Sequence, residues 1–205
     1  MLDFITVTSE FENLTKYWGF KCLKKLCYKN LVVFSKRLDD FYYCYVIARV
    51  YKEDASLETA LWVGPIDRPD DGLYNLSANF KIEIGYDQTL DKFFFKKCEK
   101  RIIHILENGI IDSLLIASQK ELSSPSFKNQ RYNVYTKFLF PFFKTIIQKS
   151  ENKKNILTNK KQLQLIIEQS LLSVNSEEKI FFETLGLKST VEKIWELCYI
   201  HALSM

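Results

Sequence analysis

The stretch Phe41-Tyr42-Tyr43-Cys44-Tyr45-Val46-Ile47-Ala48-Arg49-Val50-Tyr51 alternates with a period of two and is dominated by aromatic and β-branched residues. Such a run fits a pleated strand, in which successive side chains point to opposite faces. Cys44, Val46, Ala48 and Val50 share one face with Tyr42, and this row is expected to meet the core. Tyr43, Tyr45, Ile47, Arg49 and Tyr51 share the other. If that second face is wet, Tyr43 and Tyr45 offer a protein partner rigid contact area with a polar tip. If helices cover both faces, the same rings are core.

Working outward, Phe20–Cys27, Leu31–Lys36 and Leu57–Val63 have similar composition, and Asn79–Ile84 alternates again. Turn-forming Lys29-Asn30, Asp39-Asp40 and Glu53-Asp54-Ala55-Ser56 separate the first four runs, which predicts an antiparallel meander of four to five strands. On the N-terminal side, Phe4, Val7, Phe11, Leu14 and Trp18 recur at three- and four-residue spacing, as on one helix face, until Gly19 supplies a stop. On the other side, helical periodicity begins at Thr89, a capping residue type, and carries Phe93, Phe94, Ile102, Ile103 and Ile105 as far as Asn108-Gly109. A short helix is expected over Ile110–Ser118.

Ser123-Ser124-Pro125-Ser126 breaks the pattern and marks the internal boundary. Beyond it the periodicity predicts helices near Tyr132–Lys149, Lys160–Leu172, Glu177–Leu185 and Thr190–Leu203, with Pro141 kinking or interrupting the first. The expected architecture is α+β: an antiparallel sheet packed on helices over 1–122, and an all-helical extension over 123–205 packed on it.

The 205 residues are 47% hydrophobic and 15% aromatic, which excludes a disordered chain. The start has no basic segment leading into an apolar run, and no stretch is long and apolar enough to span a bilayer, so a cytoplasmic location is expected. Five cysteines at 22, 27, 44, 98 and 198 form no Cys-x-x-Cys pair, so reduced, mostly packed thiols are expected and no metal is called for. His104 and His201, the only two histidines, sit in apolar helical patterns that favour structural roles. No phosphate-binding glycine fingerprint, Gly-x-Ser-x-Gly or His-Glu-x-x-His occurs, so no nucleotide cofactor is implied and the chain is not read as an enzyme. Dispersed carboxylates, or Cys98 and Cys198, are what a catalytic alternative would have to use.

Residues 1–90 hold 11 Lys and Arg against 13 Asp and Glu, whereas 91–205 hold 18 against 12, so the two parts present surfaces of opposite sign. In the first part Asp39 and Asp40 occupy a turn, and Asp67, Arg68, Asp70 and Asp71 a Pro- and Gly-rich loop. That loop lacks the ligand alternation of an EF-hand, and Arg68 opposes a cation; a solvated turn or a partner contact suits it better. In the second part Lys92, Lys96 and Lys100 stand at i, i+4 spacing, with Lys97 and Arg101 on the adjacent strip. Such a row would keep the helix soluble or, as the alternative function, contact nucleic-acid phosphates.

Tyr17-Trp18-Gly19-Phe20-Lys21 after the first helix, followed by strands leading to Leu61-Trp62-Val63-Gly64, resembles a small bacterial family of toxin-associated domains, the immunity proteins of polymorphic toxin or contact-dependent inhibition systems, over about residues 4–110. The resemblance implies a cytosolic immunity protein that binds and blocks a toxin delivered by a neighbouring cell, without catalytic residues of its own. Asp39, Asp40, Asp67, Arg68, Asp70 and Asp71 would then form the contact rim, and Tyr43 and Tyr45 the anchors.

Overall fold

The computed structural model describes residues 4–27, 30–51, 56–66, 79–87, 92–124 and 135–205. Within these the fold is α+β, and the chain divides into two compact units, Met1–Leu122 with Ser204, and Ser123–Leu203 with Met205.

In the first unit, helix α1 (Phe4–Lys16) leads to five strands, β1 (Lys21–Cys22), β2 (Leu31–Asp39), β3 (Tyr42–Tyr51), β4 (Ser56–Pro65) and β5 (Phe80–Asp87), then to helices α2 (Lys92–Glu107) and α3 (Ile110–Ser123). The strands pair in sequence order, each antiparallel to the next. Val33 stands opposite Ile47, Ile47 opposite Ala60, and Leu61 opposite Ile82. This register aligns the apolar rows of successive strands on common faces, since a slip of one residue would reverse them.

The row headed by Cys44, Val46, Ala48 and Val50 faces the core as expected, with Val32 and Phe34 of β2 and Leu57, Leu61 and Val63 of β4. Val7 and Phe11 of α1 and Phe94, Phe95, Cys98, Ile102 and Ile105 of α2 complete this cluster. Phe95 packs edge-on against Phe11, with centroids 5.8 Å apart, so α1 and α2 share the sheet face. α1 ends where Gly19 takes φ +80°, and Phe20 N–H donates to Thr15 O at 3.1 Å; a residue without Cβ adopts this left-handed turn at little cost. A second glycine, Gly85, lets α2 approach β5 closely, since a Cβ there would lie 3.1 Å from Phe94 Cε2 and 3.2 Å from Cys98 Sγ.

One expectation needs correction here, and one open alternative closes. The run Phe20–Cys27 holds only two strand residues and then a 3₁₀ turn over Lys24–Leu26. Leu23 and Leu26 are buried and Lys24 and Lys25 exposed, a three-residue spacing that suits the tighter helix. The opposite sheet face is not wet: Tyr43 and Tyr45 have no accessible surface, and Val33, Ile47 and Trp62 are buried beside them in the same layer. Alternation reveals the two faces of a strand but not whether the less apolar one is covered. Helix α3 continues to Ser123, past the expected end at Ser118, and Thr89 lies outside the described residues.

The second unit is helical: α4 (Phe140–Lys149), α5 (Lys154–Leu157), α6 (Lys160–Leu171), α7 (Ser176–Leu185) and α8 (Leu187–Ser204). A π-helical turn over Tyr135–Leu139 precedes α4, and Pro141 sits in the first turn of α4, just past the change from π to α geometry. Asn175 and Glu178 form a capping box at the start of α7, and Gly186, at φ +80°, separates α7 from α8. Helix α8 is buried on every side from Ile194 to Ala202, including Glu196 and His201. Such enclosure suits its nearly uninterrupted apolar sequence. His201 Nε2 lies 3.1 Å from Asn152 Oδ1 and its ring meets Phe143 edge-on, a structural setting. Among the described residues no helix is long and apolar enough to cross a membrane.

Candidate partner-binding surface

The acidic turn is the tip of the β2–β3 hairpin. Asp39 pairs in register with Tyr42 after a bulge that begins at Arg37. Arg37 Nη2 donates to Asp40 Oδ1 at 2.9 Å, and Asp40 N–H donates to Asp39 Oδ1 at 2.8 Å, which orders the tip. Gln119 of α3 donates to Asp39 Oδ2 at 3.1 Å. The Asp40 side chain nevertheless keeps 82% of its exposure, so this carboxylate is available to a partner. Burial, reinforced by the nearby Asp39 charge, pushes the Tyr42 phenol above its usual range.

Ile66 N–H donates to Phe41 O at 2.7 Å, and Pro65 stands opposite Tyr42. The chain therefore enters the segment after Ile66 beside the acidic tip. Asp67, Arg68, Asp70 and Asp71 lie outside the described residues. Tyr43 and Tyr45, expected as anchors, stack on each other with centroids 6.1 Å apart and are wholly buried, so they brace the hairpin stem and present no surface to a partner.

The basic row of α2 is on the surface. Lys96, Lys97, Lys100 and Arg101 are exposed and form no ion pair with another described residue, while Lys92 occupies the first position of the helix. On the same helix, His104 is also exposed and is held by Asn108, whose Nδ2 donates to His104 O at 2.7 Å. A structural role in an apolar helical pattern was expected; the residue is exposed, and Asn108 caps its carbonyl.

Cys98 and Cys198 are buried, and burial pushes the Cys198 thiol up, the reverse of what a nucleophile requires. Cys22 and Cys27 behave differently. They lie close enough to couple their titration, and Cys27 accepts the Val33 N–H at 3.4 Å. The Cys22 contact lowers the Cys27 pKa despite partial burial, with the Val33 N–H and the Lys24 charge assisting. Among the described residues no group of three His, Cys, Asp or Glu side chains is placed to hold a metal ion.

Sequence reasoning missed two features. At the far end of the sheet Glu58 accepts from both Tyr51 Oη and Lys81 Nζ at 2.6 Å, beside a cavity of about 420 Å³ lined by Glu58, Thr59, Glu83 and Tyr86. Burial works to raise the Glu58 pKa, but these hydrogen bonds and the Lys81 and Arg49 charges outweigh it and hold the carboxyl below its usual value. Strand register sets Glu58 opposite Arg49 of β3 and Tyr86 of β5, so Tyr51 reaches it from a diagonal position and Lys81, which stands opposite Trp62, from further along β5; alternation alone gives neither the register nor the reach. The second feature is a groove of about 240 Å³ between the end of α1 and the C-terminal half of α2, lined by Tyr17, Trp18, Glu99, Ile102, Ile103 and Glu107.

A sheet meander backed by α1 to α3, with ionic groups displayed on its tips and helices, defines an α+β protein. The chain belongs to the immunity protein 25 (Imm25) family, whose model matches residues 1–130. That span takes in Met1–Leu122 of the first unit and ends shortly after it. The family is one of immunity proteins, which act against a toxin. Neither a curated protein nor a solved structure matches the chain.

Proposed function

We propose that this immunity protein neutralises its toxin in the cytoplasm by direct, non-catalytic binding that occludes the toxin's active surface. The observation that carries the reading is the convergence at one end of the sheet: the ordered Asp39-Asp40 tip lies beside the point where β4 delivers the chain to Asp67, Arg68, Asp70 and Asp71. Five carboxylates from two neighbouring segments would form a rim that meets basic toxin groups and steers encounter. The net −2 of residues 1–90 supports this, although the whole chain is at +4. Tyr43 and Tyr45 serve the rim from within, by fixing the stem of the hairpin.

The test is to co-purify the protein with the product of the adjacent gene and to express both in one cell. A complex and restored growth are expected, with both weakened by Asp39→Lys and Asp40→Lys together. The absence of both complex and rescue would remove the reading.

A second reading rests on the exposed row of Lys96, Lys97, Lys100 and Arg101, with Lys92 at the helix start, which would bind nucleic-acid phosphates. Titration of labelled RNA and DNA at two salt concentrations separates the two readings, because a phosphate-dominated contact weakens steeply as salt rises.

A further inference from the structure

The groove between α1 and α2 has features the acidic rim lacks. Tyr17 stands 87% exposed at its mouth and meets Trp18 edge-on, centroids 5.4 Å apart and planes at 83°. Trp18 is held in turn against the core cluster, so the aromatic pair has a fixed base. Ile102 and Ile103 form the apolar floor, and Glu99 and Glu107, each four residues from Ile103, flank it. Neither carboxylate forms an ion pair with another described residue. The groove also lies toward the C-terminal ends of two helices, the negative ends of their dipoles.

At about 240 Å³ the space is small beside the roughly 300–1,000 Å³ of small-molecule pockets and suits a single side chain. An occupant must bring an aliphatic stem for the floor and a cation for two carboxylates and a ring. Arginine fits better than lysine: its planar, weakly hydrated guanidinium pairs with carboxylates and stacks on aromatic faces, whereas an ammonium is a compact, strongly hydrated charge. We propose that this groove is a docking site for an arginine side chain presented by the toxin, a claim that rests on the binding reading above.

Lys96 and Lys100 occupy the neighbouring strip of α2, so the site does not attract cations at large, and the arginine must be delivered in register by a docked surface. Helix α3 begins three residues after Glu107, and about 14 Å further along its axis Gln119 bonds Asp39, so one helix links the groove end of α2 to the hairpin tip.

The experiment measures affinity for the purified product of the adjacent gene with the wild-type chain, Tyr17→Ala, and Glu99→Gln with Glu107→Gln. Circular dichroism and thermal unfolding confirm that the variants, altered only at exposed positions, are folded. Each is expected to bind roughly 10- to 50-fold more weakly. Arginine-to-alanine variants of the toxin should include one that weakens binding to the wild type but leaves affinity for the Glu99→Gln/Glu107→Gln protein unchanged, the signature of a direct pair. Wild-type affinity in the folded variants, or no coupled arginine, overturns the proposal while the binding reading stands. No binding by the wild type overturns both.

Discussion

The seating of α2 on β5 sets the position of every group that helix presents, and Gly85 is where it is most sensitive. Replacing Gly85 with alanine puts a methyl 3.1 Å from Phe94 Cε2 and 3.2 Å from Cys98 Sγ. Carbon atoms in good contact sit about 3.5–4.0 Å apart, so the overlap is several tenths of an ångström on two sides. Phe94 and Cys98 are buried and cannot swing into solvent. Overpacking by one carbon costs about 1–3 kcal/mol, offset by about 0.4–1 kcal/mol because alanine loses less backbone entropy on folding, which leaves a net loss of roughly 1–2 kcal/mol. Urea unfolding of the full chain, with amide exchange read in α2 and β5, should show a lower midpoint and reduced protection in those two elements. Cys98→Ala removes one of the clashing atoms, so Gly85→Ala/Cys98→Ala should be less destabilised than the two single changes added together, by roughly 0.5–1 kcal/mol. A Gly85→Ala protein as stable as wild type, or strict additivity in the double variant, would refute the close approach as the reason for glycine.

Three further outcomes follow from buried or coupled groups. Thr59 is fully buried in β4 and its Oγ1 has no hydrogen-bond partner among the described residues, so Thr59→Val, of similar shape, should raise stability by about 1 kcal/mol; a loss in urea unfolding would show the hydroxyl to be satisfied. Glu58 has a folded-state pKa below its ordinary value of 4.5, so its contribution is complete above that value and is lost as pH falls through the lower, folded one. Because the group is partly exposed, Glu58→Gln should flatten this acid limb by about 1 kcal/mol or less, and an unchanged pH–stability profile would contradict the assigned network. Among the cysteines, Cys22 and Cys27 are half-buried while Cys44, Cys98 and Cys198 are enclosed, so a thiol reagent should label the native protein first at Cys27; initial labelling at Cys44 or Cys198, read by peptide mass, would contradict the packing.

Much of the sheet can be read from the chain because each hairpin combines two-residue alternation with turn residues such as Asp39-Asp40. The segment after Phe20 is misread for a reason the structure makes plain. A two-residue strand followed by one 3₁₀ turn is too short for either period to establish itself, and Leu23 and Leu26 decide it only once their burial is known. Tyr43 and Tyr45 show a different limit. A tyrosine row suits either an interface or an interior, and only the packing against that face separates them. The groove was the least accessible feature, because residues 17–18 and 99–107 are distant in sequence and the lysine row dominates the reading of α2. Glu99 and Glu107 gain meaning only when Tyr17 is placed beside them.

The most direct measurement is a titration of the toxin's activity with the purified protein. Occlusion by binding predicts that activity falls in proportion to the protein added and reaches zero when a stable complex accounts for all the toxin. Full toxin activity in the presence of excess protein would contradict it, and so would loss of activity at a small fraction of the toxin's concentration, which would mean that the chain acts as a catalyst.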